Sequence, residues 1–506
     1  MKNKSLSKRQ IGLLLFVLLL AITQFGCKKF LDRKPLGQGV QGDITQGGVE
    51  DQILGLYAAT RNWGMTSLPF LVVHAARADD NLNSTQGDGS DAQAIVDNFQ
   101  YSKDHWLVNA VWDDHLAFVT LASGIIHDVD SLYADDAASQ INRAEACFLR
   151  AYAYFDMVRD YGKVPKIDFK VYEAAQANVP RAEVANIYAL IDADLAYAVE
   201  HLPVNWDSKF TGRVTKGTAN SLLAKTYLYR KNWASALSTA EMVINSGQYG
   251  LLPSYADVFT EDHENSIESI FEIQNFMNAN GSVSLTNDVT NYQGVRGSGE
   301  WDLGWGWNIP NKGLVDTGYE ANDPRKGQTI LFSGQKDDYL INDGKWGGTL
   351  PNLPTAYWNK KVYTDPKRRA ATGSRFGAWL DMIILRYSDV LLIAAEAANE
   401  SGDSGKALQY LEQVRSRARN GKDVLPEITS TDQGVIRKAI KQERRAEFGM
   451  EFERFYDLVR WTPAPDNIDA PHVLGPLGYT DKNALLPVPQ PAIDKSNNVL
   501  DQNAGY

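Results

Sequence analysis

The chain has 506 residues, 44% of them hydrophobic, enough to bury a large core and to form two or three domains. Its 62 acidic and 51 basic side chains leave a formal charge of −11, which argues against a general affinity for nucleic acid, since that needs a basic surface. Two cysteines, Cys27 and Cys147, exclude a cysteine-rich zinc site, and the seven histidines show no metal-ligand spacing.

Lys2, Lys4, Lys8 and Arg9 form a basic leader ahead of an apolar run from Ile11 to Ile22. That run suits the core of a signal peptide and falls short of the roughly 20 residues that cross a bilayer. It ends in Thr23-Gln24-Phe25-Gly26-Cys27, which resembles a bacterial lipoprotein cleavage site, with residues 1–26 removed and Cys27 acylated. Gln24 stands where leucine is usual, and the alternative is an ordinary secretory signal with a chance cysteine. Residues 27–48, with Pro35 and several glycines, read as a tether. Gly37-x-Gly39-x-x-Gly42 within it matches a dinucleotide fingerprint in letters only, because no buried strand precedes it.

Residues 49–250 read as an N-terminal helical part, with long amphipathic helices at 104–133, 139–161 and 183–202. Trp106 and Trp112 fall on a helical pattern and are expected in the core. So is Cys147, in register with Ala144, Phe148, Ala151, Tyr152 and Phe155. From Thr218 to Gly247 two stripes follow one another. Ala219, Leu222, Leu223, Thr226 and Tyr227 line the first; Trp233, Ala236, Leu237, Ala240, Val243 and Ile244 line the second, with Gly247 placed to cap it. A similar pair recurs at Tyr387–Ala398 and Ala407–Val414 across a Ser401-Gly402-Asp403 turn. Alanines in such stripes let helices approach closely, the packing of tetratricopeptide-like hairpins, although no clean repeat period is present. Between them, residues 251–384 change to Gly, Asn, Asp, Pro and aromatics, with strand-like pieces such as Ser269 to Ile273, and read as a loop-rich insertion. Residues 385–461 complete the helical scaffold, with Trp358 just upstream left unassigned, and 462–506 read as loops packed on it. Ile436, Ile440, Phe448 and Phe452 mark an amphipathic helix whose intervening charges are expected to face solvent. The expected fold is mainly α: a tetratricopeptide-like helical-hairpin superhelix with a large loop-rich insertion carrying short strands.

Several segments together resemble one family. Cys27-Lys28-Lys29-Phe30-Leu31-Asp32 with Lys34-Pro35, then Arg143 to Pro165, Arg386 to Glu400, Gln442 to Trp461, and finally Leu486-Pro487-Val488-Pro489 with Gln502-Asn503 are similar, in this order, to the SusD/RagB family of outer-membrane nutrient-binding lipoproteins. Where that family usually has a glycine before Arg454, this chain has Glu451-Phe452-Glu453. The resemblance implies a lipid-anchored protein facing the cell exterior, which captures oligosaccharide and lids a SusC-like TonB-dependent transporter barrel. Its motifs report fold and do not identify ligand contacts.

Catalytic constellations are not found: there is no H-E-x-x-H, G-x-x-x-x-G-K-[ST] or G-x-S-x-G, and adjacent acidic pairs such as Asp79-Asp80 occur at about the chance frequency. No enzyme activity and no cofactor are expected. A sugar ring has apolar C–H faces and a hydroxyl rim, so its site needs aromatic platforms beside planar polar groups. Trp301, Trp305 and Trp307 stand at even spacing with Gly304 and Gly306 between them, and in an extended stretch they share one face. Tyr292 and Arg296 lie just upstream. Arg77, Asp79 and Asn81 form a second candidate, as bidentate partners for vicinal hydroxyls, continuing through Asn83 into a Gly- and Asp-rich loop. The second functional reading is a scaffold lipoprotein that recognises peptide or protein on its helical repeats. Exposed tryptophans favour the glycan reading; burial of all three favours the peptide reading.

Overall fold

The computed structural model describes residues 49–82, 91–334 and 352–506. The leader, Cys27, the tether, and Asn83 with the loop after it lie outside the described residues.

The expected helices form where the apolar period placed them. α1 (Glu50–Ala59), α2 (Trp63–Thr66) and α3 (Leu68–Ala75) lead through a short strand, β1 (Asn81–Leu82), to the long α4 (Trp106–Leu132) and α5 (Ala137–Tyr161). α6 (Val184–His201), α7 (Lys216–Tyr229) and α8 (Trp233–Asn245) follow. Caps fix their ends: Asp136 accepts from the Ser139 amide, Thr215 from that of Thr218, and Asn232 from that of Ser235. Gly247 lies just past α8 at φ +66°, as its sequence position predicted. The chain then runs through β2 (Ser269–Ile273), α9 (Val289–Gln293), β3 (Ile309–Pro310) and β4 (Met382–Arg386), with turns and short pieces between. It returns to helix in α10 (Tyr387–Glu400), α11 (Ser404–Arg419), α12 (Gln433–Phe448) and α13 (Arg454–Arg460).

Successive helices pack as hairpins from α4 to α8, and α8 then packs directly on α10, which packs on α11. The helical array therefore closes up across 251–384. Alanines make this close approach possible: Ala219, Ala224, Ala236, Ala240, Ala394, Ala395, Ala398 and Ala407 have no exposed surface. α10 is buried from Tyr387 through Asn399. Two antiparallel pairings tie the intervening chain down. β2 pairs with β4, Ile273 opposite Met382, joining exit to return; β1 pairs with β3, Leu82 opposite Ile309.

α12 corrects one expectation. Its apolar stripe is buried as foreseen, with Ile436 and Ile440 inside, but Lys441, Glu443, Arg444 and Glu447 are buried as well. They join an internal ion-pair network instead of a solvated face. The Arg386 guanidinium donates to Glu447 Oε1 at 2.6 Å and to Glu268 Oε1 at 3.1 Å, and Arg444 bridges Asp389 and Asp457 at 2.8 Å each. Burial pushes the Glu447 carboxyl up, but Arg417, Arg386 and Arg325 outweigh it and hold the group well below the usual carboxylate range.

Candidate functional site

The three tryptophans do not share a face. Trp301 ends a short 3-10 turn, and its indole is buried with Val295, Leu303, Ile309, Leu331 and Trp358 in a satellite core. Trp358 is thereby a core residue. Gly306 adopts φ +70°, a left-handed conformation that breaks the strand alternation on which a common face depended. Trp305 is 46% exposed and Trp307 half-buried, their ring centroids 6.0 Å apart and tilted by 38°. The backbone holds them against α9, since the Trp305 and Trp307 amides donate to the Asn291 and Tyr292 carbonyls at 2.9 Å. As a result Tyr292 stacks on Trp307, with centroids 5.4 Å apart and planes 5° from parallel.

A second aromatic pair comes from the helical scaffold. Trp63 and Trp106 stack at 5.4 Å and 17°, and they are 42% and 50% exposed. Trp106 is therefore not a core residue, whereas Trp112 is fully buried. Trp106 opens α4 out of phase with the buried stripe of Leu107, Val108, Val111 and Trp112; it shares its side of the helix with Asp113, which is exposed. That phase was readable in the sequence and was the signal to use. Trp63 carries no comparable signal, because it depends on how α2 seats on α4. The seat is close: a Cβ on Gly64 would stand 2.0 Å from the Ala110 carbonyl oxygen, and the Gly64 amide donates to Asp114 Oδ2 at 2.5 Å.

Tyr292 joins the two pairs. Its hydroxyl lies near Ser67 and Trp63, which pull its pKa down; burial and Asp288 outweigh them and raise it, so it stays a neutral phenol. Trp106, Trp63, Tyr292, Trp307 and Trp305 thus form one aromatic row, two rings from the scaffold and three from the 251–384 segment. Such a row supplies the apolar ring faces on which a sugar C–H face can pack.

The other sequence candidates sit elsewhere. Arg77 has no exposed surface; it donates to Asp160 Oδ1 at 2.6 Å and lies over the Phe455 ring at 4.0 Å. Asp79 accepts from Arg454 at 2.7 Å and Arg445 at 3.0 Å, and these cations hold its pKa low against burial. Asn81 is buried in β1, its amide donating to Asn308 Oδ1 at 2.6 Å. These three side chains are committed to interior contacts, which places them apart from any solvent-facing role. Arg296 is half-buried and bridged to Asp302 through the backbone.

Comparison with known proteins assigns the chain. A family model described as "SusD family" matches residues 267–506, and one described as "Starch-binding associating with outer membrane" matches residues 29–228. A SusD-like protein of Formosa agariphila is 28% identical over 97% of this chain and 99% of its own. Among solved structures, a SusD-like protein from Bacteroides fragilis superposes with a TM-score of 0.74 at 24% identity, covering 90% of this chain and 96% of that one. The surface glycan-binding protein A of Bacteroides thetaiotaomicron, solved with laminarihexaose, gives 0.73 at 24% identity, covering 90% and 98%. Two family models that between them reach from the tether to the C-terminal loops, on a tetratricopeptide-like scaffold of the same shape, show that this chain belongs to the SusD/RagB family.

Proposed function

We propose that this protein is a non-catalytic outer-membrane lipoprotein, anchored through Cys27, that captures oligosaccharide and passes it to a partner TonB-dependent transporter barrel. The observation that carries the reading is the aromatic row Trp106, Trp63, Tyr292, Trp307 and Trp305, of which Trp106, Trp63 and Trp305 face solvent. It suits sugar rings better than peptide, because it offers flat apolar faces and no charged side chain in the row itself. Support comes from relatives of the same fold, one solved with laminarihexaose and one described as laminarin-binding, and from the family description that mentions the outer membrane. No helix among the described residues is long and apolar enough to cross a membrane, so in this reading attachment rests on the lipid.

A few aromatic platforms at about 1 kcal/mol each, with hydrogen bonds, give roughly −4 to −7 kcal/mol, or dissociation constants from about millimolar to tens of micromolar. Such affinity suits a protein that must release its cargo. The test is a titration of residues 28–506 against an oligosaccharide panel, following tryptophan fluorescence. Saturable binding of one glycan class, lost on Trp305→Ala or Trp63→Ala in a folded protein, supports the proposal. Silence across the panel, with saturable binding of peptides, moves the function to peptide recognition.

A further inference from the structure

Four polar atoms converge on a small cavity bounded by α5, α7, β4 and the turn that joins α12 to α13. They are the Tyr152 hydroxyl, Asp156 Oδ2, Arg159 Nε and Glu453 Oε2; each is shielded from solvent and closes no hydrogen bond. The other ends of three of these side chains are fixed. Arg159 pairs with Asp156 Oδ1 and donates to the Tyr229 hydroxyl at 3.3 Å, while Glu453 Oε1 accepts from Lys225 Nζ at 2.7 Å. His115 Nε2 stands 3.7 Å from Asp156 Oδ2, too far to satisfy it. Buried polar groups of this kind are ordinarily paired, so four of them facing one space call for a common partner.

The chemistry of that partner follows from the wall. Two carboxylate oxygens accept, the guanidinium Nε donates, and the phenol does both. The charges of Asp156 and Glu453 are balanced by Arg159 and Lys225, so a lone ion gains little here. A neutral guest that both donates and accepts fits, and the narrow part of the space admits about two water molecules. We propose that this cavity is a hydration site in which about two ordered waters bridge Tyr152, Asp156, Arg159 and Glu453, with Phe452 on its wall.

This wall is built at a conformational cost. Phe452 adopts φ +70° and Met450 φ +72°, both in the left-handed region that bulky residues avoid. The turn is held there by its acids: Glu451 accepts from Lys361 Nζ at 2.5 Å and from Arg386 at 2.8 Å, and Glu453 from Lys225. Clamped in this way, Phe452 lines the cavity and meets Phe70 edge-on at 5.7 Å.

The test is a crystal structure of residues 28–506 at a resolution that shows ordered water, with a second crystal pressurised with xenon. The expected result is water density within hydrogen-bond distance of at least two of the four atoms and no xenon there, since xenon enters dry apolar cavities. Xenon density in the cavity, or the four atoms paired with one another, would overturn the proposal. In Tyr152→Phe, which keeps the ring, the water bonded to the hydroxyl is lost while the ring stays in place; full retention of the waters would remove Tyr152 from the site. Phe452→Gly relieves the left-handed strain and removes that wall, so the same waters lose order; unchanged waters would remove Phe452 from the site.

Discussion

Trp301 and Trp305 are four residues apart, and their substitution to alanine is expected to fail in opposite ways. Trp305 faces solvent beside Trp307, so its loss weakens glycan binding by roughly 1.5 kcal/mol, about tenfold, and leaves folding intact. Trp301 is buried in the satellite core, so its loss lowers stability by about 3–5 kcal/mol while the folded fraction keeps its affinity. Titration and denaturant unfolding of both variants separate the two effects. Gly64 belongs to this scale as well. In Gly64→Ala the new methyl cannot fit against the Ala110 carbonyl, so α2 shifts, stability falls by about 1–3 kcal/mol, and affinity falls with it as Trp63 leaves its stack. Unaltered affinity in that variant would detach Trp63 from the site. Letter spacing showed that aromatics gather near 292–307, because composition is visible in sequence. Which of them face water was not visible, because the stretch is not extended: Trp301 ends a 3-10 turn and Gly306 turns left-handed.

At the element scale, the β2–β4 pairing brings three acids together. The Asp381 amide donates to Glu264 Oε1 at 3.1 Å, the Asn265 amide to Glu272 Oε2 at 3.0 Å, and the Asn275 amide to Asp381 Oδ1 at 2.6 Å. Burial and mutual repulsion raise the Asp381 carboxyl and take Glu264 from 4.5 to about 8, while burial raises Glu272; Arg368 partly opposes the shift of Glu264. Between pH 4.5 and 8 the folded protein keeps a proton that the unfolded chain has released, so this element loses stability as pH rises through that window. Buried His74, lowered from 6.5 chiefly by burial, acts with the opposite sign, losing stability as pH falls below 6.5. Glu264→Gln removes only the first contribution. Its melting temperature relative to the parent is expected to climb steadily from pH 4.5 to 8, and a constant difference would place the proton elsewhere. None of this was legible beforehand, because Glu264, Glu272 and Asp381 meet only through a pairing that spans more than a hundred residues of sequence.

Across the whole molecule, the helical array and the 251–384 segment are joined by buried ions as well as by a shared apolar core. Arg386 at the end of β4 meets Glu268 before β2, Glu447 on α12 and Glu451 beyond it. Removing one partner strands the others, so Glu447→Gln is expected to cost about 3–5 kcal/mol by denaturant unfolding, and a loss below about 1 kcal/mol would mean that the network is hydrated and weak. The sequence by itself determined the helices, their hairpin pairing, the alanine seams and the family, because those follow from local periodicity and from motifs contiguous in the chain. Only the tertiary structure decided that α12 hides its charges, that Arg77, Asp79 and Asn81 are spent on interior contacts, and that Trp63 and Trp106 meet Tyr292, Trp307 and Trp305. Each of these depends on which distant surface covers a residue, and burial of that kind is set by packing between elements and carries no local period.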